Sequence, residues 1–293
     1  MTAPFGYLLD RISEAKFDVI PFPHLYLTDF LAESDFDAIV NSSDITLPIA
    51  AGFDELLLFL ERAGYQSMPW PGCTQSKAEY LLWLEESVRP QAIKPTCDGQ
   101  GMAFQLSEPS SALVRSLAEF FRSAEFEMLV REKFHITHPT AAQPGLHKYL
   151  HGYEISPHPD MRRKALTWML NVNPAAESES LDYHTHYMTL RRERSFIAKI
   201  WQDNSNIDTC WLPWSWCETI KQHTHNNSIS IFAPRWDSMH AVKTRYDHLS
   251  TQRTQFYGNL WYEEGQPQLL GRTPEFTDYD FIGGFQNGPR AAD

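Results

Sequence analysis

The chain has 293 residues, 42% apolar and 21% charged, a composition that excludes wholesale disorder and allows one large domain or a main domain with a smaller helical partner. Its net charge of −12, from 25 basic and 37 acidic side chains, argues against a nucleic-acid binder, and basic residues gather densely only in MRRK and LRRER. The four cysteines, Cys73, Cys97, Cys210 and Cys217, form no CxxC pair and predict reduced thiols, while the absence of a signal-peptide core or an apolar membrane span predicts a soluble, cytoplasmic protein without a membrane partner.

In chain order, PFPHLYLTDFL (Pro21 to Leu31) reads as a strand leading into a helix that Ser34 or Asp35 could cap. GFDELLLFLERAG has helical spacing and a glycine stop, and CTQSKAEYLLWLEESVRP reads as an amphipathic helix ended by Pro90. The stretch from Ser111 to Phe134 predicts two helices or one long one. From about Pro139 the texture changes to short β-type runs: GLHKYLHGYEISP, KALTWMLNVN, HYMTL, FIAKIW, SISIFAP, MHAVK and RTQFYGNLWYEE. The Gly-, Pro- and Asn-rich tail after Glu264 reads as a loose or surface-hugging end.

Chemistry concentrates at the strand edges. His158 and Asp160, one residue apart after a strand, can converge on one point. His240, after a later strand, offers a third ligand. Two histidines and a carboxylate are the facial donor set of non-haem Fe(II) oxygenases, which leaves positions open for co-substrate and dioxygen. Arg253 on the following strand supplies a two-pronged donor for the far carboxylate of a bound dicarboxylate.

Tyr149, separated from the HxD by eight residues, together with TWMLNVN, SISIF, His240 and Arg253, resembles the 2-oxoglutarate/Fe(II)-dependent dioxygenase superfamily, most like its prolyl-4-hydroxylase-type branch, over roughly residues 145 to 262. The resemblance implies a mainly β, α+β chain: a double-stranded β-helix (jelly-roll) core over residues 96–264, a helix-rich segment 1–95 packed on one sheet, and a tail 265–293. It further implies Fe(II) held by His158, Asp160 and His240, and 2-oxoglutarate held by Arg253 with help from Tyr149. The implied reaction hydroxylates a C–H bond of a small molecule, amino acid or peptide side chain, with release of succinate and CO2. The aspartate argues for hydroxylation over halogenation. The family's GGEL-like segment is missing, and residues 182–228 stand in its place.

Plainer readings accompany these. Tyr149 could simply pack, and Arg253 could form a cross-strand ion pair. Arg162 and Arg163 could meet an anionic substrate or stay solvated, and Trp168, Trp201 and Trp214 are candidate substrate contacts. The tryptophans of WQDNSNIDTCWLPWSWC read as a lid, a substrate wall or a packed insertion. The pairs His184/His186 and His223/His225 leave open a cupin-type metal dioxygenase that needs no 2-oxoglutarate, and a jelly-roll binding module without turnover is the non-enzymatic alternative.

Overall fold

The structure, a computed structural model, describes residues 4–69, 73–85, 101–263, 277–281 and 284–285. The expected domain boundary near residue 95, Pro90 and Cys97 lie outside the described residues. Among the described residues there are seven α-helices and predominantly antiparallel sheets, so the chain is mainly β with a helical layer. No helix among them is long and apolar enough to cross a membrane.

The helices are α1 (Tyr7–Glu14), α2 (Glu33–Val40), α3 (Phe53–Arg62), α4 (Lys77–Leu84), α5 (Ala112–Arg122), α6 (Ala124–Lys133) and α7 (Phe196–Asp203). Gly64, at φ 87°, ends α3: its N–H bonds the Glu61 carbonyl and that of Tyr65 bonds Leu60, both at 2.9 Å, so a residue free to turn left-handed satisfies the last carbonyls. The 111–134 stretch is two helices, because Ser123 is extended and its hydroxyl accepts from the Phe126 N–H that opens the second. Helix α2 begins two or three residues earlier than a Ser34 or Asp35 cap requires; Ala32 precedes it with no side-chain cap, and Asp35 lies in its first turn.

The larger sheet has eight strands in the order β1 (Phe17–Asp18), β2 (His24–Leu27), β11 (Ile229–Phe232), β7 (Lys164–Asn171), β13 (Arg253–Tyr262), β5 (Thr140–Tyr149), β4 (Ala103–Leu106) and β3 (Gln66–Ser67). The first seventy residues therefore give strands to this sheet as well as helices. The smaller sheet orders β10 (Cys217–Gln222), β8 (His186–Leu190), β12 (His240–Lys243) and β6 (Glu154–His158). A third, small sheet pairs β9 (Ile207–Trp211) in parallel with β14 (Thr277–Asp280), which pairs with β15 (Gly284–Phe285).

One expectation is corrected here. FIAKIW is helix, not strand: Ile197, Ala198 and Trp201 are buried at helical spacing, while Lys199 points out and pairs with Asp203 at 2.8 Å. The tryptophan-rich stretch, read as a lid, a substrate wall or a packed insertion, holds a fully buried strand, β9.

The period of two in the central strands separates core from site. On β13, Phe256 and Leu260 join Leu146 of β5 and Leu166, Trp168 and Leu170 of β7 in one apolar core with α1 to α6. The alternate residues Arg253, Gln255 and Tyr257, with His147 and Tyr149 of β5 and Met169 of β7, line a cavity on the other face. The smaller sheet closes that cavity with Ile155, His158, His240 and Val242, and Tyr187 of β8 donates across to Ser230 of β11 at 2.6 Å.

Candidate active site

The last residue of β6 and the first of β12 are direct antiparallel partners, and they are His158 and His240. Their ring centroids stand 4.3 Å apart. Each ring is fixed the same way: Nδ1 of His158 lies 2.9 Å from the Ser156 carbonyl and Nδ1 of His240 lies 2.9 Å from the Ser238 carbonyl. A carbonyl can only accept, so both imidazoles carry their proton on Nδ1 and keep the Nε2 lone pair for a metal. Burial pushes both below the ordinary histidine value, His158 to about 3 with help from His240, so both stay neutral at neutral pH.

Asp160 follows in a left-handed conformation, φ 75°, which short polar side chains tolerate better than most. Its Oδ1 accepts from the Lys164 ammonium at 2.5 Å and the Met161 N–H at 3.0 Å, and its Oδ2 accepts from the Thr167 hydroxyl at 2.7 Å. Burial alone would raise this carboxyl; the Lys164 charge and the two imidazoles outweigh it and hold the group ionised. The same contact, against burial, raises Lys164, which also reaches the Tyr257 hydroxyl at 2.9 Å.

Arg253 approaches the cavity from the larger sheet. It is the register partner of Tyr149, its guanidinium lies 4.6 Å from that ring's centroid, and Nη2 donates to the Thr185 hydroxyl at 3.1 Å. Both are almost fully buried, and burial raises the Tyr149 phenol, keeping it protonated. Neighbouring His147, pushed down to about 3 by burial and the Lys164 charge, is also neutral and lies 3.2 Å from the Tyr149 hydroxyl.

The cavity thus gathers His158, Asp160, His240, Arg253 and Tyr149 on its walls. Among the described residues, no three His, Cys, Asp or Glu side chains form a closed ligand set, since the Asp160 oxygens are turned to Lys164 and Thr167. The donor chemistry nonetheless suits Fe(II): two neutral imidazoles with free Nε2 atoms and an ionised carboxylate.

The other expected contacts are placed elsewhere. Trp168 is a correction: one residue beyond Thr167 on β7, it takes the opposite face and is fully buried against Phe121 and Phe126 of the helical layer. Arg162 bonds the carbonyls of Ile207, at 2.6 Å, and Trp201, and its guanidinium stacks 3.5 Å from the Trp201 ring. Arg163 pairs with buried Asp208 at 2.6 Å. Trp214 donates to Glu154 at 2.6 Å at the outer edge of the smaller sheet.

The HxH pairs do not converge. His184 contacts the Ser178 carbonyl and His186 the Thr219 hydroxyl, both at 3.0 Å; His223 meets His24 at 2.8 Å, and His225 sits 3.5 Å from Glu179. Cys210 and Cys217 are free and buried, and burial raises both thiols, Cys217 to about 12.

Lys164, Thr167, Thr185 and Tyr257 escaped the sequence reading. For Thr167 and Tyr257 a signal was present as polar residues within otherwise apolar strands, Thr167 with Asn171 in KALTWMLN and Tyr257 with Arg253, Gln255 and Asn259 in RTQFYGNLWY.

No family model matches the chain, and no curated protein matches it. Solved structures similar to it include a prolyl hydroxylase from Trichoplax adhaerens in complex with a hypoxia inducible factor oxygen degradation domain peptide fragment, at 9% identity and TM-score 0.49, over 89% of this chain and 95% of that one. A Pseudomonas putida prolyl-4-hydroxylase is similar at 9% identity and TM-score 0.44, over 87% of this chain and 97% of that one. The non-heme alpha ketoglutarate dependent epimerase SnoN from nogalamycin biosynthesis is similar at 9% identity and TM-score 0.42, over 88% and 84%. These neighbours are prolyl hydroxylases and an alpha ketoglutarate dependent enzyme. The case for function in this chain rests on its own residues.

Proposed function

We propose that the chain is a 2-oxoglutarate- and Fe(II)-dependent oxygenase with a jelly-roll core, hydroxylating an unactivated C–H bond of a small molecule, amino acid or peptide side chain. One observation carries this reading: two opposed histidines with the same fixed tautomer, and an ionised aspartate beside them, share a buried cavity with an arginine from the facing sheet. In this reading the core of residues 96–264 carries the site, flanked by segments 1–95 and 265–293, and a reducing cytoplasm suits both Fe(II) and the free thiols.

His158, Asp160 and His240 would hold the metal, and Arg253 would receive the far carboxylate of 2-oxoglutarate. When bound, iron and co-substrate supply the oxidising chemistry, with succinate and CO2 as the co-substrate's products. The chain's own work is positional. The carbonyls of Ser156 and Ser238 aim the imidazoles, Lys164 and Thr167 hold the carboxylate, and Tyr149 and Thr185 hold the guanidinium. Ile155, Met169 and Val242 keep bulk water from the cavity between them.

Anaerobic titration with Fe(II) and 2-oxoglutarate tests the reading through the weak visible charge-transfer band of the chelate. Wild type should show the band, Arg253→Ala should need more 2-oxoglutarate to develop it, and His240→Ala should lack it. A full band in His240→Ala would remove the assignment of the ligands.

A further inference from the structure

Beside the buried cavity lies a wider cleft of about 470 Å³, formed where the turn after α6, the Arg162–Ala165 run, Trp201, the loop Ala233–Trp236 and the end of β13 meet. Its size suits a small organic molecule. Lys164 lines both spaces, so the cleft is one side chain away from Asp160, the proposed metal ligand that Lys164 holds.

The cleft departs from the charge of the whole. The chain carries −12, yet none of the residues lining the cleft is acidic, and Arg162, Lys164 and Arg235 are among them. Of these cations Lys164 and Arg235 are ion-paired to Asp160 and Asp237, while Arg162 is bonded to carbonyl oxygens. Arg162 supplies field rather than contact, being buried with carbonyl oxygens as its hydrogen-bond partners. Arg235 is different. Asp237 grips its Nε and Nη2 at 3.0 and 3.2 Å, which fixes the guanidinium plane and leaves Nη1 for a ligand, and 47% of the side chain remains exposed.

Around these cations the walls are aromatic. Trp236 is 40% exposed, an unusual state for so large an apolar surface, and Trp201, Phe134 and Tyr262 complete the lining. A fixed guanidinium at the rim of an aromatic cleft matches a ligand with an anionic group on a flat or apolar body.

We propose that this cleft binds the substrate of the reaction proposed above, and that the substrate is a small carboxylate with an apolar or aromatic body, its anionic group on Arg235 and its body against Trp236 and Trp201. The assignment of the ligand as substrate rests on that reading of function; the binding chemistry rests on the cleft alone.

The test is calorimetric titration of the iron-free full chain with 1-naphthylacetate and its neutral isostere 1-naphthylacetamide. Wild type should bind the acid about tenfold more tightly, as loss of one charge-assisted contact implies. Arg235→Gln should erase the preference, Arg235→Lys should keep most of it, and Trp236→Ala should weaken both ligands alike. Equal affinities in wild type, or a preference that survives Arg235→Gln, would overturn the proposal. So would a preference lost in Arg253→Ala, which would place the anion in the inner cavity. Because the titration needs neither iron nor 2-oxoglutarate, its failure is separate from that of the charge-transfer test: a band without acid preference retires the cleft, and an acid preference without a band retains the anion site while retiring the reaction.

Discussion

Lys164 and Asp160 form an ion pair at 2.5 Å with both side chains almost wholly buried, in the wall between the proposed metal site and the outer cleft. Removing one member of such a pair leaves the other charged and unsolvated, which costs about 3–5 kcal/mol. Lys164→Met should lower stability by that amount in urea denaturation. Anaerobic Fe(II) should restore part of the loss, because the metal replaces the missing cation and binds only the folded chain. A Lys164→Met protein that Fe(II) leaves unchanged would argue against Asp160 as a ligand.

The hydroxyl of Thr185 accepts the hydrogen bond that helps aim Arg253. Thr185→Val keeps the side chain's shape and removes that acceptor, a loss of about 1 kcal/mol and so about fivefold in a binding constant. The 2-oxoglutarate concentration for half-development of the charge-transfer band should rise by that factor while Fe(II) affinity holds. An equal loss in both would mean that Thr185 supports the cavity as a whole.

Gly258 is the register partner of Trp168, and a methyl group placed on it would come within 2.1 Å of the indole. The clash is with a fully buried ring packed between β13 and the helices, which has little room to yield. Gly258→Ala should cost about 1–3 kcal/mol, read from the thermal or urea midpoint.

Stability should also fall in acid through buried neutral histidines. His24 Nδ1 donates to the Phe22 carbonyl at 2.8 Å, so its Nε2 accepts from His223, and burial holds both rings below the ordinary value, His223 to about 3. Asp18 and Lys221 sit beside them. The unfolded chain takes up these protons near pH 6.5 and the folded one does not, so this contribution is complete above that pH and is lost as the pH falls towards 3. The urea midpoint should drop between pH 6.5 and 4. His223→Gln should make that drop shallower without abolishing it, since His147, His184 and His248 are depressed by burial in the same way.

Much of the cavity was readable from spacing. HxD, the later His240 and Arg253 arrived on one cavity because each stands at the end of a strand, where a short loop can aim a side chain without disturbing the sheet. Trp168 was misread because aromatic residues near a motif suggest ligand contact, whereas its position next to Thr167 commits it to the far face. FIAKIW misled for a different reason: six apolar-rich residues fit a strand or a helix equally, and burial of Ile197, Ala198 and Trp201 decides between them only in three dimensions. Lys164 was illegible as a partner of Asp160 because a lysine in a strand normally reads as solvent-facing, and only the buried carboxylate opposite explains it.

The place of β2 in the larger sheet bears on how the chain is made. Its edge against β11 pairs Leu27 with Ile229, so β2 must wait about two hundred residues of synthesis for its neighbour on that side. A ribosome-bound chain shorter than that keeps the β11 edge of β2 open, and this part of the sheet closes only once β11 has emerged. Closure of this edge of the sheet therefore waits for β11, although α1 can already dock on α6 and β2 can already pair with β1.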